Sequence, residues 1–261
     1  MIDKTIGFIG SGRVTHIILG GFKKSQFNLR DVVVSDVNIA TLNKLKTAFP
    51  EISISLNDNT KPATQDFIFL ALHPPAIFDV LINIKSYLKP NAILISLAPK
   101  LSIKKLSETL SGFSRIVRMI PNAPSIVNCG YNPIVYSNQL TETEKKELTD
   151  LFNVLGDYPE VAEEKLEAYA ILTAMGPTYF WFQFNELKEI VKGFGLTEQE
   201  VKIGIEKMVT GAIKTLFESG LTPEQVIDLI PLRPLHDYEE KIKEAYHTKL
   251  ESLYKKLKGL T

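Results

Sequence analysis

The chain has 261 residues, enough for one large or two modest domains with a sizeable core. Thirty Lys and Arg balance thirty Asp and Glu, so no global field recruits nucleic acid or an anionic membrane. One cysteine, Cys129, excludes an intrachain disulfide framework and fits a reducing compartment, the cytoplasm.

The first apolar run, Thr5–Ile9, feeds directly into Gly10-Ser11-Gly12-Arg13-Val14, leaving no room before it for a signal peptide. Strand, glycine turn and helix in that order make a dinucleotide-binding turn. Gly10 allows the tight turn, Gly12 lets backbone approach a pyrophosphate, and the next amides face its charge. The same glycines can also serve a purely structural turn, and Thr15 stands where the third small residue is usual. Val32–Ser35 predicts the second strand, tipped by Asp36, whose carboxylate can accept the hydroxyls of an adenine ribose and repel a 2′-phosphate. Asp36 can equally cap the helix expected over Ile39–Phe49.

Further apolar runs at Asp66–Leu72, Ile93–Leu97 and Ile116–Met119 read as buried parallel strands, with an amphipathic segment over Pro75–Tyr87. The alternation predicts an α/β fold of Rossmann type: a doubly wound parallel sheet whose ligands lie at the strands' carboxyl ends. From Thr141 the pattern turns helical, opening on the capping box Thr141…Glu144. The expected domains are residues 1–157, binding the dinucleotide, and 158–261, an all-helical dimerisation and substrate domain. In the second, a long helical stretch over Glu163–Gly193 should break near Gly176-Pro177. Helices open again at Thr197 and Thr222, and Tyr238–Leu257 is amphipathic. The uncharged run Ala168–Asn185 contains that Gly-Pro break, which argues against a membrane span and for a buried or subunit-interface helix. Tyr179, Phe180, Trp181, Phe182 and Phe184 surround the helix, which must therefore be covered.

These residues suggest a family. Gly7-Phe8-Ile9-Gly10-Ser11-Gly12, Ser35-Asp36-Val37-Asn38, Asp58-Asn59, Leu70-Ala71-Leu72-His73-Pro74, Arg118–Pro124 and Gly176-Pro177-Thr178-Tyr179 together resemble pyrroline-5-carboxylate reductase. The resemblance implies reduction of a cyclic imine, 1-pyrroline-5-carboxylate, to proline with NAD(P)H, NAD being favoured by Asp36. It implies a homodimer or higher homo-oligomer of interlocking helices acting on a small molecule. The cofactor residues it points to are Gly10, Ser11, Gly12, Arg13, Val14, Asp36, Asn59, Ala71, Leu72, His73 and Pro74. Asn122, Thr173, Met175, Gly176 and Arg233 are the substrate candidates.

Several of these have a plainer role to set beside the functional one. Asn122 can be a turn anchor, Thr173 can bond back to its own helix, His73 can line the cofactor by backbone alone, and Arg233 can be a solvated surface residue. No side-chain nucleophile is legible, and scattered histidines give no metal site. A hydroxyacid reductase would want a lysine acid on the long helix, and Lys165 sits too early.

The chain departs from the family pattern in its substrate half. Met175 replaces a small hydroxyl residue. A Ser-Pro-Gly-Gly-Thr-Thr loop, which cradles the substrate carboxylate in the family, is replaced by Pro231-Leu232-Arg233-Pro234-Leu235. Ala98-Pro99-Lys100 stands for Ala-Ala-Gly, and His73 for a lysine. A changed substrate, or a cofactor-binding sensor or scaffold without turnover, is therefore the alternative expectation.

Overall fold

The computed structural model describes residues 4–73 and 76–259, so Pro74 lies outside the described residues. The first half alternates strand and helix. In chain order these are β1 (Ile6–Ile9), α1 (Arg13–Lys24), β2 (Val32–Asp36), α2 (Ile39–Ala48), β3 (Ser53–Leu56), α3 (Thr60–Ala63), β4 (Phe67–Leu70), α4 (Ala76–Ile84), β5 (Ile93–Ser96), α5 (Ile103–Thr109) and β6 (Ile116–Met119). There follow β7 (Gly130–Tyr131), β8 (Ile134–Tyr136), α6 (Glu142–Asn153) and β9 (Gly156–Asp157). The remainder is helical: α7 (Leu166–Tyr169), α8 (Pro177–Gly193), α9 (Glu198–Glu218), α10 (Pro223–Asp228), α11 (His236–Tyr246) and α12 (Ser252–Lys258).

Seven strands form one sheet in the order β3-β2-β1-β4-β5-β6-β8, parallel except for β8. The first six follow the doubly wound Rossmann order, which reverses direction between β1 and β4. Side chains alternate across the strands, so each face finds its own cover. Ile6, Phe8, Phe67 and Phe69 meet Ile18 and Phe22 of α1, Leu42 of α2 and Leu148 of α6, with Phe8 stacked on Phe69 at 4.5 Å between ring centroids. Ile9, Ile68, Leu70 and Leu94 face Ile77 and Leu81 of α4 and Leu106 of α5. Burial on both sides explains why these strands are uninterrupted apolar runs.

Helix α1 is clamped at its back. A Cβ on Gly20 would come within 2.6 Å of Ile126, and one on Gly21 within 2.4 Å of the Ser125 carbonyl. The Asn128 side-chain amide donates to the Gly21 carbonyl at 2.8 Å and also to that of Val154. Only glycine lets α1 lie this close to the 3₁₀ turn Ala123–Val127.

The chain divides into two compact units. One holds everything up to Met175 together with the end of the chain from Tyr254; the other is Gly176–Leu253. The last strand, β9, ends at Asp157, where composition changes; the compact division comes later, because residues 158–175 pack with the first unit. The expected break at Gly176-Pro177 is present as a π-helical turn over Ala170–Met175 followed by Pro177 at the start of α8. Wide turns of this kind absorb the hydrogen bond that proline cannot make.

The capping boxes at Thr141…Glu144 and Thr197…Glu200 both form. In the helical unit, α8 buries none of its side chains and α9 only Val201. Trp181 and Phe182 are 51% and 68% exposed. Among the described residues no helix is long and apolar enough to cross a membrane.

Candidate functional site

The carboxyl ends of β2, β1 and β4 bring most of the cofactor candidates together. Gly10 sits at φ +107°, and a Cβ there would lie 2.3 Å from the Ala71 carbonyl. Its amide donates to Ser35 at 2.8 Å, and the Ala71 amide donates to Ile9 at 2.9 Å. Thr15 is accommodated because its hydroxyl donates to the Gly10 carbonyl at 2.6 Å.

Gly12 is the opposite case: a Cβ there meets nothing within 4 Å. It begins α1, and no side chain caps the first amides of Arg13 and Val14. Open space before uncapped helix amides is what an anionic pyrophosphate requires.

Asp36 points at this turn. One carboxylate oxygen accepts from the Ser11 amide at 2.7 Å and from the Ser11 hydroxyl at 2.8 Å; the other accepts from the Asn38 amide at 2.9 Å. Helix α2 is capped by Asn38, not by Asp36 as the sequence allowed, because the Asn38 side chain already reaches the amides of Ala40 and Thr41. A carboxylate has about four acceptor positions, so Asp36 keeps capacity for a further hydroxyl. Asn59, at the cap position of α3, accepts from the buried Ser35 hydroxyl at 2.6 Å, tying the start of α3 to β2. Leu72 is half-buried and His73 exposed at the end of β4.

A second group gathers beyond β5 and β6. Asn122, 7% exposed, accepts from the Tyr131 amide at 3.1 Å and from Ser125 at 3.4 Å, and donates to the Thr173 carbonyl at 3.4 Å. It joins Thr173 to the sheet and spends its polar groups on the protein. The Thr173 hydroxyl donates to Tyr169 of its own helix at 2.9 Å. Met175 closes the π-helical turn, and Gly176, the cap of α8, begins the other unit.

Arg233, also in that unit, is bound to the Glu239 carboxylate, with His236 3.6 Å from the same group. Its charge is already matched there. His236 and Asp237 do not cap α11, whose cap position is Leu235.

Sequence reasoning missed a buried ionic cluster in this region. Arg118 of β6, 3% exposed, pairs with Glu163 and Glu167, each at 2.9 Å. Glu167 also accepts from the Lys100 amide at 3.3 Å and lies 3.6 Å from Lys258 of α12, while Glu163 accepts from the Ile103 amide at 2.7 Å. Burial pushes the Glu167 carboxyl up, but hydrogen bonding and charge from Arg118 outweigh it and hold the group below its usual range. The available signal was a lone arginine inside an apolar strand, with acids four apart downstream. Among the described residues no group of three metal-ligating side chains forms.

Residues 5–100 match a family model described as NADP oxidoreductase, coenzyme F420-dependent. A pyrroline-5-carboxylate reductase of Corynebacterium melassecola is 25% identical over 85% of this chain and 83% of its own. That of Escherichia coli is 23% identical over 88% and 85%. Over most of its length the chain is similar to pyrroline-5-carboxylate reductases. Among solved structures, the Coxiella burnetii pyrroline-5-carboxylate reductase is 25% identical, with a TM-score of 0.67 over 98% of this chain and 95% of that one. The Plasmodium falciparum pyrroline carboxylate reductase, solved with NADP bound, has the same fold, with a TM-score of 0.79 over 99% and 98% at 23% identity.

Proposed function

We propose that this chain is an NAD(P)H-dependent reductase of a small cyclic imine such as 1-pyrroline-5-carboxylate, working as a homodimer or higher homo-oligomer in the cytoplasm. The observation that carries the reading is the open approach at Gly12 before uncapped helix amides, beside a carboxylate at the end of β2. The similarity to pyrroline-5-carboxylate reductases supports the substrate class.

Gly10–Val14 would hold the pyrophosphate, Asp36 and Asn59 would serve the adenosine side, and Ala71–His73 the nicotinamide side. When bound, the dinucleotide supplies a hydride. The chain's own contribution is to hold the two partners in register, which removes entropy from the barrier. Asn122 positions the residue 173 segment rather than touching a reacting atom. Residues 1–157 form the cofactor domain in this reading, and 158–261 carry dimerisation and substrate contacts; Met175 and Gly176 fall at the substrate end.

The test is oxidation of NADH and NADPH with 1-pyrroline-5-carboxylate, followed by a panel of cyclic imines. A second reading, a sensor or scaffold without turnover, is favoured by one feature: Arg233 in the altered Pro231–Leu235 segment is committed to Glu239. Cofactor binding with no imine turned over would select it.

Asp36→Ser should raise the NADPH-to-NADH affinity ratio by about fivefold or more, since a carboxylate a few ångströms from a 2′-phosphate costs about 1 kcal/mol or more. Both affinities will fall, because Ser11 loses its clamp, so the ratio is the readout. An unchanged ratio would remove Asp36 from the ribose.

The exposed aromatic surface of α8 supports the assembly. Sedimentation should give about twice the 29.3 kDa chain mass or a multiple of it, and Phe182→Asp should shift it to the monomer. A wild-type monomer at micromolar concentration would refute the dimer.

A further inference from the structure

In a doubly wound sheet the dinucleotide crosses at the reversal between β1 and β4. With its adenosine end over β2 and Asp36, its other end runs toward β4 and β5. The turn after β5 therefore borders the reacting half of the site. Leu97 donates to Leu70 at 3.2 Å, so this turn begins directly beside the end of β4.

That turn is Ala98-Pro99-Lys100-Leu101. Pro99 fixes φ at its first central position, and Lys100 has φ +73° at the second. A type II turn has this form and wants glycine at its second central residue. Lysine has no local hydrogen bond with which to favour the left-handed region, unlike Asn57 and Asn128. Gln26 and Ser111 adopt it as the residues just past the caps of α1 and α5, where helices commonly end that way, and Lys100 follows no helix. The strain is held from outside: the Lys100 amide donates to Glu167, itself fixed by Arg118 and Lys258.

The cluster thus neutralises its own charges and leaves the Lys100 ammonium unspent. Lys100 is exposed, and among the described residues its side chain has no ion-pair partner. The other basic candidate for a substrate anion, Arg233, is committed to Glu239. Unfavourable backbone kept in place by surrounding structure points to a use for the side chain it presents.

We propose that Lys100 is the cation that recognises the carboxylate of this chain's substrate. The proposal rests on the imine-reductase reading and gives the substrate class a determinant: a small anionic imine, its carboxylate met by a lysine on the turn after β5.

The test compares 1-pyrroline-5-carboxylate with 1-pyrroline, which has the same ring and no carboxylate. In Lys100→Gln the kcat/KM preference for the carboxylate substrate should fall at least tenfold through KM, and Lys100→Arg should restore most of it. NADH affinity should not follow, which separates a substrate carboxylate from a cofactor phosphate. Lys100→Gly, free of the turn's strain, should melt no lower than wild type while losing the same preference.

L-proline and pyrrolidine binding to the NAD⁺-loaded protein gives a readout without turnover. Wild type should bind L-proline at least tenfold more tightly than Lys100→Gln does, with no such difference for pyrrolidine. If no imine is reduced, the reductase reading fails and the L-proline comparison still decides Lys100. A preference changed less than twofold, equal losses on both ligands, or no L-proline binding by wild type overturns the proposal.

Discussion

Gly12→Ala should weaken NADH and NADPH at least about 30-fold, roughly 2 kcal/mol, while the melting temperature stays within a degree or two. The added methyl meets no protein atom within 4 Å, so the free protein scarcely registers it. A helix-cap preference of about 0.5–1 kcal/mol is lost, and the lower unfolded-chain entropy of alanine offsets it. The methyl does occupy the approach to the first amides of α1. Gly10→Ala should behave differently, because its Cβ would lie 2.3 Å from the Ala71 carbonyl at a φ of +107°. Backbone strain and the forced separation of β1 from β4 should cost about 2–4 kcal/mol, or roughly 5–15 °C, and binding should fall as well. The pair separates a phosphate site from a structural turn. Normal cofactor affinity in Gly12→Ala would mean that the glycines serve only the fold.

Arg118→Met should destabilise the protein by about 3–5 kcal/mol, the scale for removing one partner from a buried ion pair. Glu167 would keep the Lys100 amide at 3.3 Å and Lys258 at 3.6 Å, and Glu163 the Ile103 amide, but both would lose their 2.9 Å guanidinium partner. The pH dependence should identify the cause. In wild type the Glu167 carboxyl titrates below its ordinary value of 4.5 in the folded protein. Its contribution is therefore fully present above that value and is lost as pH falls through the lower, folded one. Without Arg118, burial dominates and raises the folded value above the unfolded one. The charged form then penalises folding, so the deficit of the variant should shrink as pH drops from 8 towards 4.5. A deficit independent of pH would assign the loss to packing alone.

Legibility followed burial. Strands β1, β2, β4, β5 and β6 are covered on both faces and read as continuous apolar runs, whereas β3 is an edge strand, Ser53-Ile54-Ser55-Leu56, whose alternation is too short to signal. The glycine turn was legible because it demands particular residues at fixed spacing. The Ser11–Asp36 clamp was not, since two good acceptors, Asp36 and Asn38, lie two residues apart and local rules favour both as caps. The Arg118 cluster joins residues up to 140 positions apart (Lys258 less Arg118), a separation at which sequence pattern carries no signal. Thr173 shows the reverse: its hydroxyl bonds within its helix, the local option available to any helical threonine.

The clamped rear of α1 has a thermodynamic consequence. Gly20 and Gly21 press the helix onto the turn that follows Asn122, and Asn128 holds it there. A helix fastened at its far end cannot swing to meet an arriving anion, so its leading amides stand at a fixed height above the sheet whether or not a ligand is present. Their cradle is preorganised: its ordering entropy is spent when the chain folds and need not be subtracted again from the affinity.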